Sequence, residues 1–208
     1  MNRLVKRATE VRYRRSQVIF SRGEASETVY LVREGHIRLS LPGGRRRSGR
    51  TVAVVAPWEL FGEEALSGTP RQYDAVAGEA CIVLPLSGRG MLQALRGSPK
   101  TLSVFLAAVE DDLADERGAA RASTNTTRAR IARVLLTLAD RFGTEEGRRI
   151  RIDHWFTHQE IADLARAHRS TVTTALNEWI YEKVLREEPR AIVITRPGAL
   201  RLATKGDS

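Results

Sequence analysis

The chain has 208 residues, of which 42% are hydrophobic and 28% charged, and its formal net charge is +9. This composition is that of a globular protein with a packed core, and the basic balance makes nucleic acid the first candidate partner. The single cysteine, Cys81, excludes an internal disulfide and a cysteine-rich zinc or iron–sulfur centre. No apolar stretch approaches the roughly 20 residues of a membrane span and no signal-peptide pattern occurs, so we expect a soluble cytoplasmic protein without membrane contact.

Most of the positive charge lies towards the N-terminus. The net charge is +7 over residues 1–99, −2 over 100–122 and +4 over 123–208. Charge alone would therefore place a nucleic-acid contact in the first half of the chain, where Arg45-Arg46-Arg47 forms a basic run. That run is a solvated loop or, alternatively, a contact for RNA polymerase or flanking DNA. A DNA-binding function has to be argued from a motif instead.

Residues 17–90 are typical of short β-strands separated by turns. The apolar runs Val29–Val32 and Ile37–Leu41 flank Glu34-Gly35, which predicts a β-hairpin. Further strands are predicted over 51–55 and 80–84. Regularly spaced short strands of this kind indicate a barrel or a sandwich.

The hydrophobic period changes after residue 100 to the three-and-four spacing of an amphipathic helix. Its apolar stripe consists of Leu102, Phe105, Leu106, Val109 and Leu113. The remaining positions are acidic or polar, so the stripe needs one partner face, either the β module or the same helix of a second chain. We expect both, with a homodimer seam towards the C-terminal part.

A second helix is predicted from the N-cap candidates Asn125-Thr126-Thr127 to Phe142-Gly143, where glycine suits a C-cap. Its apolar face is Ile131, Val134, Leu135 and Leu138. A polar, basic linker over 144–149 then leads to a short strand over 150–152.

Residues 157–176 have the pattern of a helix-turn-helix. Thr157 and Glu160, three residues apart, form a capping box at the start of a short helix. The packing face of this helix is Ile161, Ala162, Leu164 and Ala165. The core face of the following helix is Val172, Ala175, Leu176, Trp179 and Ile180. This leaves a polar set outside, near the second helix's N-terminus, where a recognition helix enters the major groove: Arg169, Ser170, Thr171, Thr173 and Thr174.

These side chains suit DNA contact, since arginine pairs with guanine and threonine contacts phosphates or a thymine methyl. A hairpin over 184–195 is predicted as a wing, with Arg190 at its tip, and His158 and His168 are further candidate contacts. The alternatives are an ordinary two-helix packing unit and a zinc pair made by His154 and His158. The zinc pair is disfavoured because a helix boundary separates the two histidines. Arg166 stands where the turn usually carries glycine, in a left-handed conformation that costs an arginine some energy.

Several short motifs are weak evidence one by one, but their order and spacing along the chain are specific when they are taken together. They are Gly23-Glu24, Tyr30 to Gly35, Phe61 to Glu64, Arg130-Ile131-Ala132 with Leu135-Leu136, and Thr157 to Leu176. On these motifs the chain resembles, across essentially its whole length, the CRP/FNR family, that of the cyclic AMP receptor protein and the fumarate–nitrate reduction regulator. The resemblance implies an α+β fold with a β-roll sensor domain (1–99), a dimerisation helix (100–122) and a winged helix-turn-helix DNA-binding domain (123–208). It also implies a homodimer on a two-fold symmetric site and contact with RNA polymerase.

The resemblance implies an effector site as well. In members that bind cyclic nucleotides, a Phe-Gly-Glu turn and a following arginine hold the ribose and phosphate. The matching positions here are Phe61, Gly62, Glu63, Arg71 and, in place of a serine, Gln72. The base-contacting positions are Asp115 and Glu116, whose carboxylates disfavour an anionic ligand. In place of cyclic AMP we therefore expect either DNA binding that needs no ligand or a response to an unknown effector, and we expect no cofactor or metal.

The sequence thus predicts a sequence-specific DNA-binding transcription regulator, more often an activator in this family. The usual half-site is not expected, because Ser170 and Thr173-Thr174 replace a glutamate and an arginine of the family's recognition helix. The alternatives are a regulator gated by cyclic AMP or another small anion, and a nucleotide-sensing module whose winged helix binds protein. An enzyme is not expected, because no paired carboxylates, nucleophile elbow, P-loop or metal cluster occurs.

Overall fold

The computed structural model describes residues 8–43, 49–100, 102–103, 105–107, 126–153 and 156–205. The chain divides into two compact units, Met1–Ala120 and Arg121–Ser208. The three-part division at 99/100 and 122/123 stays a prediction. Within the described ranges no helix is both long enough and apolar enough to cross a membrane.

The described part of the N-terminal unit contains two four-stranded antiparallel sheets. Their orders are β1-β8-β3-β6 and β2-β7-β4-β5. The strands are β1 (Val11–Tyr13), β2 (Val18–Phe20), β3 (Thr28–Glu34), β4 (Ile37–Leu41), β5 (Arg50–Val55), β6 (Leu60–Phe61), β7 (Asp74–Ala77) and β8 (Cys81–Ser87). The predicted strands over 51–55 and 80–84 correspond to β5 and β8, and the predicted sandwich or roll of short strands is confirmed.

Both sheets contribute to one apolar core. Its buried members include Phe20, Val32, Ile37, Phe61 and Val83, which come from five different strands. The opposite face of β3 and β8 packs on helix α2 (Gly88–Arg96) through a second cluster around Leu84 and Met91. Because β3 and β8 are covered on both faces, their sequences are continuous apolar runs rather than alternating ones.

The predicted hairpin around Glu34-Gly35 is wrong. Strand β3 pairs with β8 and β6, whereas β4 pairs with β5 and β7, so the chain passes from one sheet to the other at this turn. Gly35 has φ +75°, and a Cβ there would lie 2.6 Å from the Ala80 carbonyl oxygen. The glycine thus serves a close crossing beside the start of β8, which no local pattern distinguishes from a hairpin turn.

The candidate dimerisation stripe is described in part. Helical residues 99, 100, 102, 103 and 105–107 follow α2. Phe105 packs against the Met91 cluster, whereas Leu102 and Leu106 are 42% and 51% exposed. Val109, Leu113, Asp115, Glu116 and the Arg45–Arg47 run lie outside the described residues. The homodimer seam stays a prediction.

The C-terminal unit combines helices with one four-stranded antiparallel sheet of order β11-β12-β10-β9. Its elements are α3 (Thr127–Phe142), β9 (Gly143–Glu146), β10 (Arg149–Ile152), α4 (His158–Leu164), α5 (Arg169–Tyr181), β11 (Leu185–Glu188), β12 (Ala191–Ile194) and α6 (Pro197–Ala203). The predicted linker over 144–149 is wrong, because β9 and β10 form a hairpin there. In β9 the residues Thr144, Glu145 and Glu146 are polar and exposed, so only backbone pairing identifies this strand.

Helix α3 begins and ends where the sequence predicts. The Thr126 hydroxyl accepts a hydrogen bond from the Ala129 N–H at 3.2 Å, and Gly143 follows the last helical residue. Ile131, Leu135 and Leu138 are buried, and they form the centre of this unit's core together with α5 and α6. This core fixes the helices that carry the candidate site.

Candidate nucleic-acid interface and effector site

Helix α4 starts with the predicted capping box, which is confirmed. The Thr157 N–H donates to Glu160 Oε2 at 2.6 Å, and the Glu160 N–H donates to Thr157 Oγ1 at 3.2 Å. Each bond satisfies a backbone donor at the helix start, where the helix itself offers no partner. Ile161 and Ala162 are fully buried behind the cap, so α4 is held at a fixed angle for α5 to pack against.

The turn between α4 and α5 has the predicted left-handed arginine. Arg166 has φ +50° and its side chain is exposed. Arg130 of α3 donates from Nε to the Ala165 carbonyl at 3.0 Å and from Nη2 to the Arg166 carbonyl at 3.3 Å. The guanidinium thus ties both carbonyls of the turn to α3. In the sequence Arg130 stands out only as part of a motif, because its role at this turn depends on a contact with a residue 35 positions away.

Helix α5 separates a buried face from a polar one. Val172, Leu176 and Trp179 are buried, whereas four predicted DNA contacts in the first two turns are exposed: Arg169, Ser170, Thr171 and Thr174. His168 is the exposed N-cap residue, and its side chain makes no capping hydrogen bond. The exposed set therefore lies at the N-terminal end of a helix whose orientation its apolar face determines.

Thr173 and His158 form a pair rather than two free contacts. The Thr173 hydroxyl donates to the Arg169 carbonyl at 3.0 Å, and His158 Nδ1 lies 2.9 Å from the same hydroxyl oxygen. His158 Nε2 lies 3.8 Å from Glu187 Oε1. The imidazole thus links α4, α5 and β11 at the edge of the polar face.

The wing is the hairpin of β11 and β12, in register from Leu185 opposite Ile194 to Glu188 opposite Ala191. Arg190 is exposed at its tip with φ +63°. Glu188 accepts from Arg151 at 2.5 Å and contacts Arg186 at 2.5 Å. The hydrogen bond from Arg151 lowers the pKa of Glu188, so this carboxylate stays ionised and offsets the arginines around it.

Arg128 is a further residue of this surface, and no motif in the sequence points to it. Its guanidinium pairs with Glu178 of α5 and with Glu182, the C-cap residue of that helix, and lies 4.7 Å from the centre of the Trp179 ring. An open hollow of about 300 Å³ separates it from Ser170, Thr171 and Thr174. The spacing of Glu178 and Glu182, four residues apart, indicates a cationic partner, but the sequence does not identify it because Arg128 lies 50 residues from Glu178.

The candidate effector residues come together in the N-terminal unit. The Phe61 ring is buried 5.0 Å from the Tyr30 ring, and Gly62 has φ +79°. A Cβ on Gly62 would lie 2.5 Å from Arg71 Nη1, so the turn needs glycine for its conformation and for space. Glu63 is half-buried at the N-cap of the short helix α1 (Glu64–Ser67) and makes no capping bond there.

Arg71 points into the domain. It is 3% exposed and donates to the carbonyls of Gly62 at 2.8 Å and Thr28 at 2.5 Å, and its guanidinium lies 4.1 Å from the centre of the Phe20 ring. Gln72 is exposed, and its side-chain amide donates to the Pro70 carbonyl. The arginine that the resemblance assigns to a phosphate is thus already engaged by the protein.

The single cysteine is a buried core residue. Cys81 is 2% exposed, and its thiol donates to the His36 carbonyl at 3.1 Å. Burial raises the pKa of Cys81. The described residues contain no group of three or more His, Cys, Asp or Glu suited to a metal ion, and His154 lies outside them.

Two family models match the chain, a cyclic nucleotide-binding domain over residues 10–98 and a Crp-like helix-turn-helix domain over residues 129–203. The chain belongs to the CRP/FNR family of transcription regulators. It is 34% identical to the transcriptional regulator LdrP of Thermus thermophilus over 194 residues, which cover 91% of this chain and 93% of that one. It is 27% identical to the CRP-like cAMP-activated global transcriptional regulator of Mycobacterium tuberculosis over 202 residues, covering 92% and 86%.

The solved structures agree with this membership. A CRP-family transcriptional regulator of Thermus thermophilus superimposes with a TM-score of 0.76 at 28% identity, covering 94% of this chain and 97% of that chain. The predicted family, the α+β fold and the helix-turn-helix DNA-binding domain are therefore confirmed. A CRP/FNR regulator binds DNA, and the exposed end of α5 is the described surface to consider first.

Proposed function

We propose that this CRP/FNR regulator binds a two-fold symmetric DNA site as a homodimer, through α5, and activates transcription without needing cyclic AMP. The observation that carries the proposal is the exposed polar end of α5. Arg169, Ser170, Thr171 and Thr174 are exposed there, on a helix whose other face is buried through Val172 and Trp179. A recognition helix reads base edges from this position, and a rigid support avoids an ordering cost on binding.

Each exposed side chain has a role in the proposal. Arg169 donates a bidentate pair to guanine, which specifies a base pair. Ser170, Thr171 and Thr174 contact phosphates or a thymine methyl. His168 and Arg190 flank this face and contact the phosphate backbone, which sets register and adds affinity. Thr173 and His158 act as a positioned pair at its edge, where His158 reaches a phosphate only by leaving Glu187.

The homodimer is supported by the apolar stripe that begins at residue 102. Leu102 and Leu106 are exposed by 42% and 51%, while Phe105 between them packs on its own unit. Exposed leucines four residues apart suit a helix seam with a second copy of the chain, which Val109 and Leu113 would continue. Two recognition helices would then meet half-sites about one helical turn of DNA apart.

Independence of cyclic AMP is supported by the inward position of Arg71, whose two terminal guanidinium nitrogens donate to backbone carbonyls within the β-roll. Activation and contact with RNA polymerase follow from the family, most of whose members are activators. The M. tuberculosis relative is described as cAMP-activated, so the proposal separates this chain from that relative by its effector requirement.

Selection from a random duplex library by the ligand-free protein tests this proposal. We expect enrichment of a palindrome, and weaker binding to it by Arg169→Ala of about 5- to 150-fold, which corresponds to about 1–3 kcal/mol for one arginine–guanine pair. Arg201→Ala, an exposed arginine on α6, is the matched control and should change affinity far less. Activation is then measured by transcription in vitro from a promoter that carries the selected site.

The other outcomes identify which part is wrong. Enrichment only in the presence of cyclic AMP would indicate an effector-gated regulator. A non-palindromic sequence would contradict the homodimer on a two-fold site. Equal losses for Arg169→Ala and Arg201→Ala would mean that charge, rather than a base contact, determines the affinity.

A further inference from the structure

The Glu64 side chain bridges two hydrogen-bond donors of consecutive residues. Its Oε1 accepts from the Gln72 backbone N–H at 3.0 Å, and its Oε2 lies 3.4 Å from Arg71 Nη1. We call these two donors, the Arg71 guanidinium and the Gln72 N–H, the anion cradle. A guanidinium beside a backbone N–H is the chemistry that recognises a phosphate or a carboxylate. The cradle therefore already holds an anion, which is the carboxylate of Glu64.

The cradle is fixed from both sides. The Arg71 N–H donates to the Glu24 carbonyl, and the Arg71 carbonyl accepts from the Gly23 N–H, each at 2.9 Å. The guanidinium is clamped between the Thr28 and Gly62 carbonyls, and its position over Phe20 prevents it from turning outwards without breaking these bonds. A guanidinium whose side chain is only 3% exposed needs a counter-charge, which Glu64 supplies from a side chain that is 15% exposed.

The connection from Glu64 to Gln72 is short and internally bonded. After the single turn of α1, Gly68 reverses the chain with φ +71°, and its N–H donates to the Glu64 carbonyl at 2.8 Å. The Ser26 hydroxyl then donates to the Thr69 carbonyl at 2.5 Å. These bonds bring the Glu64 carboxylate next to the Gln72 backbone. The length of the loop and its internal hydrogen bonds therefore determine where this carboxylate lies.

We infer that Glu64 is a resident anion that occupies the cradle and excludes external phosphates and phosphodiesters from it. This inference rests on the proposed effector independence and names the residue responsible for it. An external anion would have to displace Glu64 or approach its negative charge to within a few ångström, beside a guanidinium that is only 3% exposed. Removal of that one charge, with the cradle left in place, converts the site into a receptor for anions.

The test compares wild type, Glu64→Gln and the matched control Glu27→Gln, an exposed glutamate of the same unit. Each full-length protein is titrated with cyclic AMP and with inorganic phosphate at constant ionic strength, by calorimetry and by melting temperature. We expect wild type and Glu27→Gln to respond to neither probe. Glu64→Gln should melt about 3–5 °C lower, recover with phosphate, and bind both anions at least about tenfold more tightly than the upper limit that the titration sets for wild type.

Two results would overturn the inference. The first is a saturable rise of the wild-type melting temperature with either probe, which requires no variant and decides the matter even if Glu64→Gln does not fold. The second is a folded Glu64→Gln that binds neither anion. Either result can be distinguished from a failure of the proposed function, which the library selection tests. Ligand-free DNA binding by a wild type that also takes up cyclic AMP would remove only the inference, whereas an unresponsive wild type without DNA binding would remove only the proposed function.

Discussion

Replacing Arg166 by glycine should stabilise the DNA-binding unit. Arg166 holds φ +50° in the turn between α4 and α5, and its side chain is exposed. The turn uses only its backbone, since the N–H donates to the Asp163 carbonyl at 3.2 Å and the carbonyl accepts from Arg130 at 3.3 Å. Glycine preserves both bonds and removes the Cβ that makes this conformation unfavourable.

The expected gain is the difference of two effects. Left-handed backbone costs an L-residue about 1–2 kcal/mol relative to the right-handed region. Glycine loses more conformational entropy than arginine on folding, which offsets about 0.5–1 kcal/mol of the stability gained by removing this cost. We therefore expect Arg166→Gly to raise the free energy of unfolding by about 0.5–1 kcal/mol. For a chain of this size, that corresponds to about 1–4 °C in melting temperature.

Urea unfolding followed by far-UV circular dichroism measures this difference. Lys183→Gly is a parallel variant, because Lys183 is also exposed and has φ +57°. Asn177→Gly, at an exposed position inside α5, is the contrasting control and should lose about 0.3–0.5 kcal/mol through helix propensity. If Arg166→Gly and Lys183→Gly were both no more stable than wild type, the left-handed backbone would carry no cost here and the reasoning would be refuted.

Two further substitutions concern the N-terminal unit. Gly62→Ala should lower the free energy of unfolding by more than Gly23→Ala, as measured in urea, because both have positive φ but only at Gly62 does a Cβ meet Arg71 at 2.5 Å. Equal losses would mean that Arg71 moves freely. The Cys81 thiol should resist alkylation at pH 8 until urea is added. Burial raises the pKa of the Cys81 thiol. The stability that the buried, neutral thiol contributes is therefore complete below its pKa in the unfolded chain, about 8.5, and is lost as the pH rises through its pKa in the folded protein. Cys81→Ala should therefore lose less stability than wild type as the pH is raised above about 9.

What the sequence predicted correctly depends on short spacings. The cap at Thr126, the capping box of Thr157 and Glu160, and the wing around Arg190 each involve residues a few positions apart. The apolar face of α5 follows from helical periodicity. Local chemistry determines these features, so reading them requires no knowledge of the rest of the chain.

The errors concern contacts between distant segments. The sequence predicts a hairpin at Gly35 because it does not show which strand pairs with β3, and the actual partner, β8, lies much further along the chain. The sequence predicts a linker at β9 because its exposed residues, Thr144, Glu145 and Glu146, are polar and carry no apolar signal. In both cases backbone pairing across the fold outweighs the local pattern.

The two carboxylates that matter most here illustrate the same limit. Glu160 accepts from a backbone N–H three residues before it, within one helical turn, and the motif is legible in the sequence. Glu64 accepts from a backbone N–H eight residues after it, and only the length and bonding of the loop bring the two together. A glutamate after Phe61-Gly62-Glu63 looks like an ordinary surface residue in sequence. In the fold it lies 3.4 Å from the guanidinium of the buried Arg71, and the proposed exclusion of an anionic effector from the cradle depends on this contact.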